Sequence, residues 1–275
     1  MFKFRKEDVR KQLQEIELEE EKHKSSIKLL HPKWDVNYHL NSLVIVSAPS
    51  GNGKSTMMRQ DLKECIFQGL DAVVFSNEET KSAILRLIYQ SLSIKCPEMT
   101  KLEIMEGILE HICIIDYEDC PLLFQYDKIH DLIITAIDDF LPDLVMFNNI
   151  SKFKKPEGKY RKQAYEFLPE LIDSFSEEIN SLKIYPPIIF YQQGRGLLGS
   201  HAGEGNKDAT NTVNTATHVI QVVREGKDTI IETQKYRYPN KKKYHRFHKF
   251  AYDFELDEYK HLDAFDEYEK KRGNF

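Results

Sequence analysis

The sequence predicts an α/β fold: a mostly parallel sheet flanked by helices, with antiparallel strands added at its C-terminal side. Three observations carry that expectation. Short apolar runs alternate with longer helical stretches from Leu43 to about Val223, the order a parallel sheet requires. The first of these runs passes through a glycine-containing turn straight into helical sequence. After Val223 the pattern changes to strands and turns. The bulk numbers agree, since 275 residues suffice for one large core, and 41% hydrophobic with 30% charged residues suits a folded, soluble chain.

Taken in order, residues 6–25 carry Val9, Leu13 and Ile16 at helical spacing among Lys, Glu and Gln. The stripe is too narrow for a core of its own, so this segment reads either as a solvated terminal helix or as an arm docking on another subunit. Trp34, near Pro32, is expected to pack the incoming segment against the sheet. Strands are expected at Leu43–Ala48, Ala72–Ser76, Ile112–Ile115, Leu144–Asn148, Ile188–Tyr191 and His218–Val223. Helices are expected between them, near Ser55–Phe67, Lys81–Ser93, Tyr126–Phe140 and Arg161–Leu182. Thr229–Thr233 and Tyr244–Tyr252 read as antiparallel additions to the sheet edge. The chain thus divides into an N-terminal helical arm or linker over 1–40, a core over 41–256 and a charged tail over 257–275.

Composition excludes several classes. No apolar run approaches the roughly 18 to 20 residues that cross a bilayer. The start, Met1 to Lys6, leads into charge without an apolar signal core, so no membrane or export role is expected and the protein is read as cytoplasmic. Cys65, Cys96, Cys113 and Cys120 form no CxxC pair and read as buried thiols in a reducing compartment. The ten histidines lack metal-ligand spacing. A net charge of -5 does not announce a nucleic-acid binder, but basic residues cluster at 152–162 and at 241–249. Either cluster taken alone reads first as a solvated face.

The chemistry begins where Leu43-Val-Ile-Val-Ser runs into Ala48-Pro49-Ser50-Gly51-Asn52-Gly53-Lys54-Ser55-Thr56. Backbone N–H groups of such a loop, with the N-terminus of the helix it opens, cradle phosphates. Lys54 is placed to reach the β- and γ-phosphates of ATP, and the Ser55 hydroxyl to hold Mg²⁺. Ala48 stands where this motif has its first glycine. Glu78 and Glu79 follow the second strand, on the edge where open α/β sheets bind ligands. A carboxylate there can orient and deprotonate water for attack on the γ-phosphate. The same pair would also suit the first turn of the next helix, whose dipole favours acids.

The order of these elements from about Asn41 to Phe254 resembles the RecA-like core, in particular the ring-forming replicative helicases of the DnaB type. The resemblance implies that Glu78 is the catalytic glutamate, with Glu79 in reserve. It implies that Pro142-Asp143-Leu144-Val145-Met146-Phe147-Asn148 is the magnesium-supporting strand and that Gln192 senses the γ-phosphate. Lys235 and Arg237 look like the Lys-x-Arg pair that reaches into a neighbouring subunit's nucleotide. One departure stands out: the family places an aspartate where this chain has Asn148, followed by Asn149. Asn brings no negative charge to a hard cation, so slower hydrolysis or weaker metal affinity is expected. In the resembling helicases the loops after the fourth and fifth strands contact single-stranded DNA. Here those loops carry Lys152, Lys154, Lys155, Lys159, Arg161 and Lys162, then Arg195 and Lys207 among glycines. Aromatic residues are scarce in the second of these, Gly194 to Asn211, which suits backbone tracking rather than base stacking. The resemblance therefore implies an ATP-dependent motor on single-stranded DNA, assembled as a homo-oligomeric ring (a hexamer), with room for a separate primase or loader as partner. A recombinase-like filament, and a nucleotide-binding assembly module with weak or no hydrolysis, are the alternatives.

Overall fold

The apolar runs become strands. The computed structural model describes residues 37–121, 125–149, 164–181, 183–193, 216–236 and 247–265. Among them the strands are β1 (Leu43–Ala48), β2 (Ala72–Ser76), β3 (Ile112–Asp116), β4 (Leu144–Asn148), β5 (Ile188–Gln193), β6 (His218–Glu225), β7 (Asp228–Tyr236), β8 (Phe247–Asp253) and β9 (Glu258–Phe265). The helices are α1 (Lys54–Gln68), α2 (Lys81–Lys95), α3 (Lys101–His111), α4 (Tyr126–Phe140) and α5 (Ala164–Asn180). One sheet contains every strand, in the order β3-β2-β4-β5-β1-β6-β7-β8-β9. Pairing is parallel from β3 through β6 and antiparallel from β6 to β9.

Both faces of the parallel part are covered, which is why its strands are unbroken apolar runs rather than alternating ones. Val44, Val46 and Ala48 of β1 belong to one apolar cluster with Met57, Met58 and Leu62 of α1, Ile84 and Ile88 of α2, and Ile104 and Ile108 of α3. Leu43 and Ile45, pointing the other way, pack with Ile129 and Ile133 of α4 and Ile172 and Phe175 of α5. The helices thus form two layers, α1–α3 on one face and α4–α5 on the other. Among the described residues, no helix is long and apolar enough to cross a membrane.

Local chemistry sets the helix ends. Thr80 caps α2 by accepting from the Ala83 N–H at 3.3 Å. Thr100 and Glu103 form a reciprocal capping box on α3, and Glu103 sits below the usual carboxylate range because it accepts from the Thr100 N–H and hydroxyl. Gly69 ends α1 in the left-handed region at φ 66°.

The structure departs from the sequence expectation in three places. Helix α3 was not anticipated: only Ile104 and Ile108 of it are fully buried, too short a stripe to stand out from periodicity. Several strands run one or two residues longer at their C-terminal ends, where the side chains turn polar. The stretch after 256, expected as the start of a charged tail, instead supplies β9 at 258–265, paired antiparallel with β8. Its polar side chains find partners on α1, as described below. Residues 1–36 of the N-terminal arm, Trp34 among them, and Arg161 at the expected start of the fourth helix lie outside the described residues.

Helix α1 also carries Asp61 into the core beneath β1 and β5. Its carboxyl group is wholly buried, and the Tyr191 hydroxyl of β5 donates to its Oδ2 at 3.0 Å. Burial pushes its pKa well above the usual carboxylate range, despite the opposing hydrogen bond from Tyr191. The folded state therefore binds this proton more tightly than the unfolded chain. Stability falls as pH rises from the unfolded carboxylate value toward the folded one, by at most about 1.4 kcal/mol per pH unit. Asp61→Asn keeps an acceptor for Tyr191 but cannot ionise. Denaturant titrations across pH should show the variant gaining stability relative to wild type as pH rises above about 4; parallel curves would refute a raised Asp61 pKa.

Candidate functional site

The turn after β1 needs two backbone conformations that favour glycine, and the sequence supplies them. Gly51 lies at φ 75° and Gly53 at φ 88°. The Asn52 N–H closes the turn on the Pro49 carbonyl at 3.2 Å. Gly53 is the N-cap of α1 and has no side chain to satisfy the first-turn N–H groups, and that turn carries no acid. Those amides and the helix dipole favour an anion. Residues 48–51 and 53–56 line a cavity of about 270 Å³ together with Glu78 and Asn149. Asn52 faces elsewhere: its Oδ1 accepts from the Arg224 N–H at 2.7 Å, tying the loop to β6.

Opposite the loop stands the turn after β2. Glu78 Oε2 accepts from Lys54 Nζ at 2.6 Å and from Asn149 Nδ2 at 3.0 Å. The turn is pinned from below. The Asn77 N–H donates to the Asn148 carbonyl at 2.8 Å, and the Asn149 N–H donates to Asn77 Oδ1 at 2.8 Å. Ser76 Oγ donates to the Glu79 carbonyl at 2.6 Å. Glu78 and Glu79 thereby part company. Glu78 lines the cavity, while both Glu79 oxygens accept from Arg59 Nη1, at 2.9 and 3.1 Å.

The residue after β4 that lines the cavity is Asn149, not Asn148. Asn148 is fully buried, and neither polar atom of its amide has a hydrogen-bond partner among the described residues. Among the oxygen donors that the described residues bring to the cavity, the Ser55 hydroxyl, the Glu78 carboxylate and the Asn149 amide suit a hard cation such as Mg²⁺. Among the described lining residues Glu78 is the one carboxylate, so phosphate oxygens would have to supply most of the negative charge.

Behind the loop lies a buried polar network that the sequence analysis did not identify. Arg59, 6% exposed, donates through Nε to Asp257 Oδ2 and through Nη2 to Asp257 Oδ1 at 3.1 Å, besides its contact with Glu79. Burial works against its charge, but Asp257 and Glu79 outweigh that and hold its pKa above the ordinary arginine value. Asp257 Oδ1 also accepts from the Tyr252 hydroxyl at 2.7 Å and from Thr56 Oγ1 at 3.3 Å. Burial, then the bond to Asp257, pushes the Tyr252 phenol up to about 12. Lys63 donates to the Leu256 carbonyl at 2.8 Å, the Asp257 carbonyl at 3.1 Å and Ser91 Oγ at 3.0 Å, and pairs with Glu258 at 3.0 Å. The turn between β8 and β9 is thus bonded to the helix that opens at the phosphate loop. The available signal was the run of polar residues Arg59, Gln60, Asp61 and Lys63 in a helix that must pack on the sheet.

Two of the other expected residues, Gln192 and Lys235, fall apart from the cavity. Gln192 lies near the end of β5, level with Ser47 of β1, and does not line it. Lys235 is on β7, opposite Val219 of β6 and two strands from the phosphate-loop strand. Arg237, Lys152, Lys154, Lys155, Lys159, Arg161, Lys162, Arg195 and Lys207 lie outside the described residues.

Comparison with solved structures bears out the fold. The chain superposes on a KaiC-like protein, PH0186, of the hyperthermophilic archaeon Pyrococcus horikoshii with a TM-score of 0.60 at 14% identity, covering 86% of this chain and 99% of that one. It superposes on the solved ATPase domain of another protein with a TM-score of 0.54 at 12% identity, covering 81% and 85% respectively. No protein-family model and no curated protein matches the sequence. Sheet order, loop and neighbours together define a RecA-like P-loop α/β fold.

Removing Arg59 would leave Asp257 and Glu79 facing each other without their shared cation. Arg59→Ala should lower unfolding free energy by about 3 kcal/mol or more, the usual cost of breaking a buried ion pair, and Arg59→Lys by less. Urea unfolding checks this, and a loss under about 1 kcal/mol would show that the network carries little.

Proposed function

We propose that this chain is an ATP-dependent motor on single-stranded DNA that hydrolyses ATP with Mg²⁺ where copies of the chain meet. The observation that carries the reading is the cavity itself. A phosphate-cradling loop and a carboxylate face each other across about 270 Å³, with Glu78 Oε2 2.6 Å from Lys54 Nζ. Likeness of fold to a solved ATPase domain supports it.

In this reading the first-turn amides of α1 and the Lys54 ammonium take the phosphates. An incoming triphosphate competes with Glu78 for Lys54. The carboxylate, still steadied by Asn149, is then placed to accept a proton from water attacking the γ-phosphate. Mg²⁺, held by the Ser55 hydroxyl and phosphate oxygens, would neutralise the developing charge. Gln192 is assigned to sensing the γ-phosphate, and Lys235 with Arg237 to completing the site of a neighbouring copy. DNA contact is assigned to the basic segments 152–162 and 195–207. In the sequence they follow β4 and β5, parallel neighbours whose carboxyl ends lie on one edge of the sheet. Positive charge in these two segments suits phosphate tracking without base preference.

A second reading has a specific observation in its favour. With Asn at both 148 and 149, the end of β4 brings no carboxylate to the cavity, which suits a nucleotide-binding assembly module with little or no hydrolysis.

Phosphate release from ATP, with and without single-stranded DNA and at several protein concentrations, separates the two. A motor should be stimulated by DNA, more steeply at higher concentration. Glu78→Gln should keep nucleotide binding and lose about 10²- to 10⁴-fold in kcat, whereas Lys54→Ala should lose binding. Tight nucleotide binding with negligible turnover under all conditions would reject the motor in favour of the module.

A further inference from the structure

The phosphate loop is also reached by a side chain of β9. The Tyr259 hydroxyl of β9 lies 3.1 Å from the Gly53 carbonyl oxygen and 3.4 Å from that of Asn52. Carbonyls only accept, so the phenol donates, with Gly53 its closer acceptor. The Gly53 carbonyl also accepts the first helical bond of α1, from the Met57 N–H at 3.0 Å, so its two lone pairs are both engaged.

A trans peptide fixes the C=O of one residue and the N–H of the next in one plane, pointing opposite ways. Anchoring the Gly53 oxygen on Tyr259 therefore directs the Lys54 N–H away from β9, toward the side on which Gly53, Lys54 and Ser55 line the cavity. The anchor is itself fixed. The Tyr259 N–H donates to Gln60 Oε1 at 2.8 Å, and Gln60 Nε2 donates back to the Tyr259 carbonyl at 3.4 Å. The ring packs against Phe250 and Tyr252, each with centroids 5.9 Å away. Burial keeps the phenol well above its ordinary pKa, hence protonated and able to donate. Glycine at 53 answers to this contact as well as to its φ. A Cβ there would lie 1.6 Å from the Tyr259 oxygen.

We infer that Tyr259 is a positioning residue of the phosphate loop: its hydroxyl, presented by the C-terminal strand, sets the direction of the Lys54 amide that receives nucleotide phosphate. The inference rests on the nucleotide-site reading for its ligand, and on the loop contacts alone for its mechanics. Tyr259→Phe in the full chain removes the hydroxyl and keeps the ring.

Two measurements test it together. Amide hydrogen exchange without nucleotide should become faster over residues 51–56 while the β8–β9 backbone exchanges as in wild type. Calorimetric Kd for Mg-ATP should rise roughly two- to tenfold, the effect of one neutral hydrogen bond. Unchanged loop exchange, or equal acceleration throughout β8 and β9, overturns the inference, because the hydroxyl then does nothing or only stabilises the hairpin. An unchanged Kd in a chain that binds Mg-ATP overturns it also. If wild type binds no Mg-ATP while the loop alone loosens in the variant, the positioning role stands and the nucleotide reading falls.

Discussion

A helix that buries Arg59, Asp61 and Lys63 must find partners for them, and the arrangement around the phosphate loop follows from where those partners come from. An unpaired buried charge costs several kcal/mol, far more than leaving a loop untidy. Arg59 is answered by Glu79 from the turn after β2 and by Asp257 from the turn before β9. Lys63 is answered by main-chain carbonyls of that same C-terminal turn, and Asp61 by Tyr191 of β5. Helix α1 is thereby bonded in three directions at once. Because Glu78 adjoins Glu79, the carboxylate facing the cavity inherits its position from this charge balance. Strand β9 is thus a structural partner of the loop and not an ornament of the sheet edge.

The parallel half of the fold was legible for a simple reason: strands covered on both faces must be apolar throughout, and such runs stand out from their surroundings. The phosphate loop was legible because its backbone demands, glycine in left-handed turns and lysine opening a helix, are met by few other residues. What escaped notice was polar. Residues 257–265 read as a solvated tail because their charges could not be matched with a helix some 200 positions earlier. Helix α3 announced itself only through its Thr100 and Glu103 cap. The choice between Asn148 and Asn149 was equally hidden. Every residue of β4 is buried, so burial alternation gave no clue to which of the two asparagines reaches the cavity.

Identities of 14% and 12% to structures of the same fold show what is shared and what is free to vary. Strand order fixes where the crevice of an open α/β sheet lies, at the carboxyl ends of strands whose neighbours depart in different directions. β1, β2, β4 and β5 all end there, and so do the loop, Glu78 and Asn149. The chemistry placed on that edge is a separate matter. The pair of asparagines at the end of β4, Asn148 within the strand and Asn149 just after it, is a local choice on that edge.

The contact between Gly53 and Tyr259 spans 206 positions of the chain. Synthesis proceeds from the N-terminus, and the elements made first can begin folding while the rest is still being added. The phosphate loop is among the earliest parts of the core to emerge from a ribosome, yet the residues that brace it are among the latest. A nascent or prematurely terminated chain ending before the β8–β9 turn would expose the charged flank of α1 and an unbraced loop. The contact between the loop and β9 can thus form only after translation has reached Tyr259.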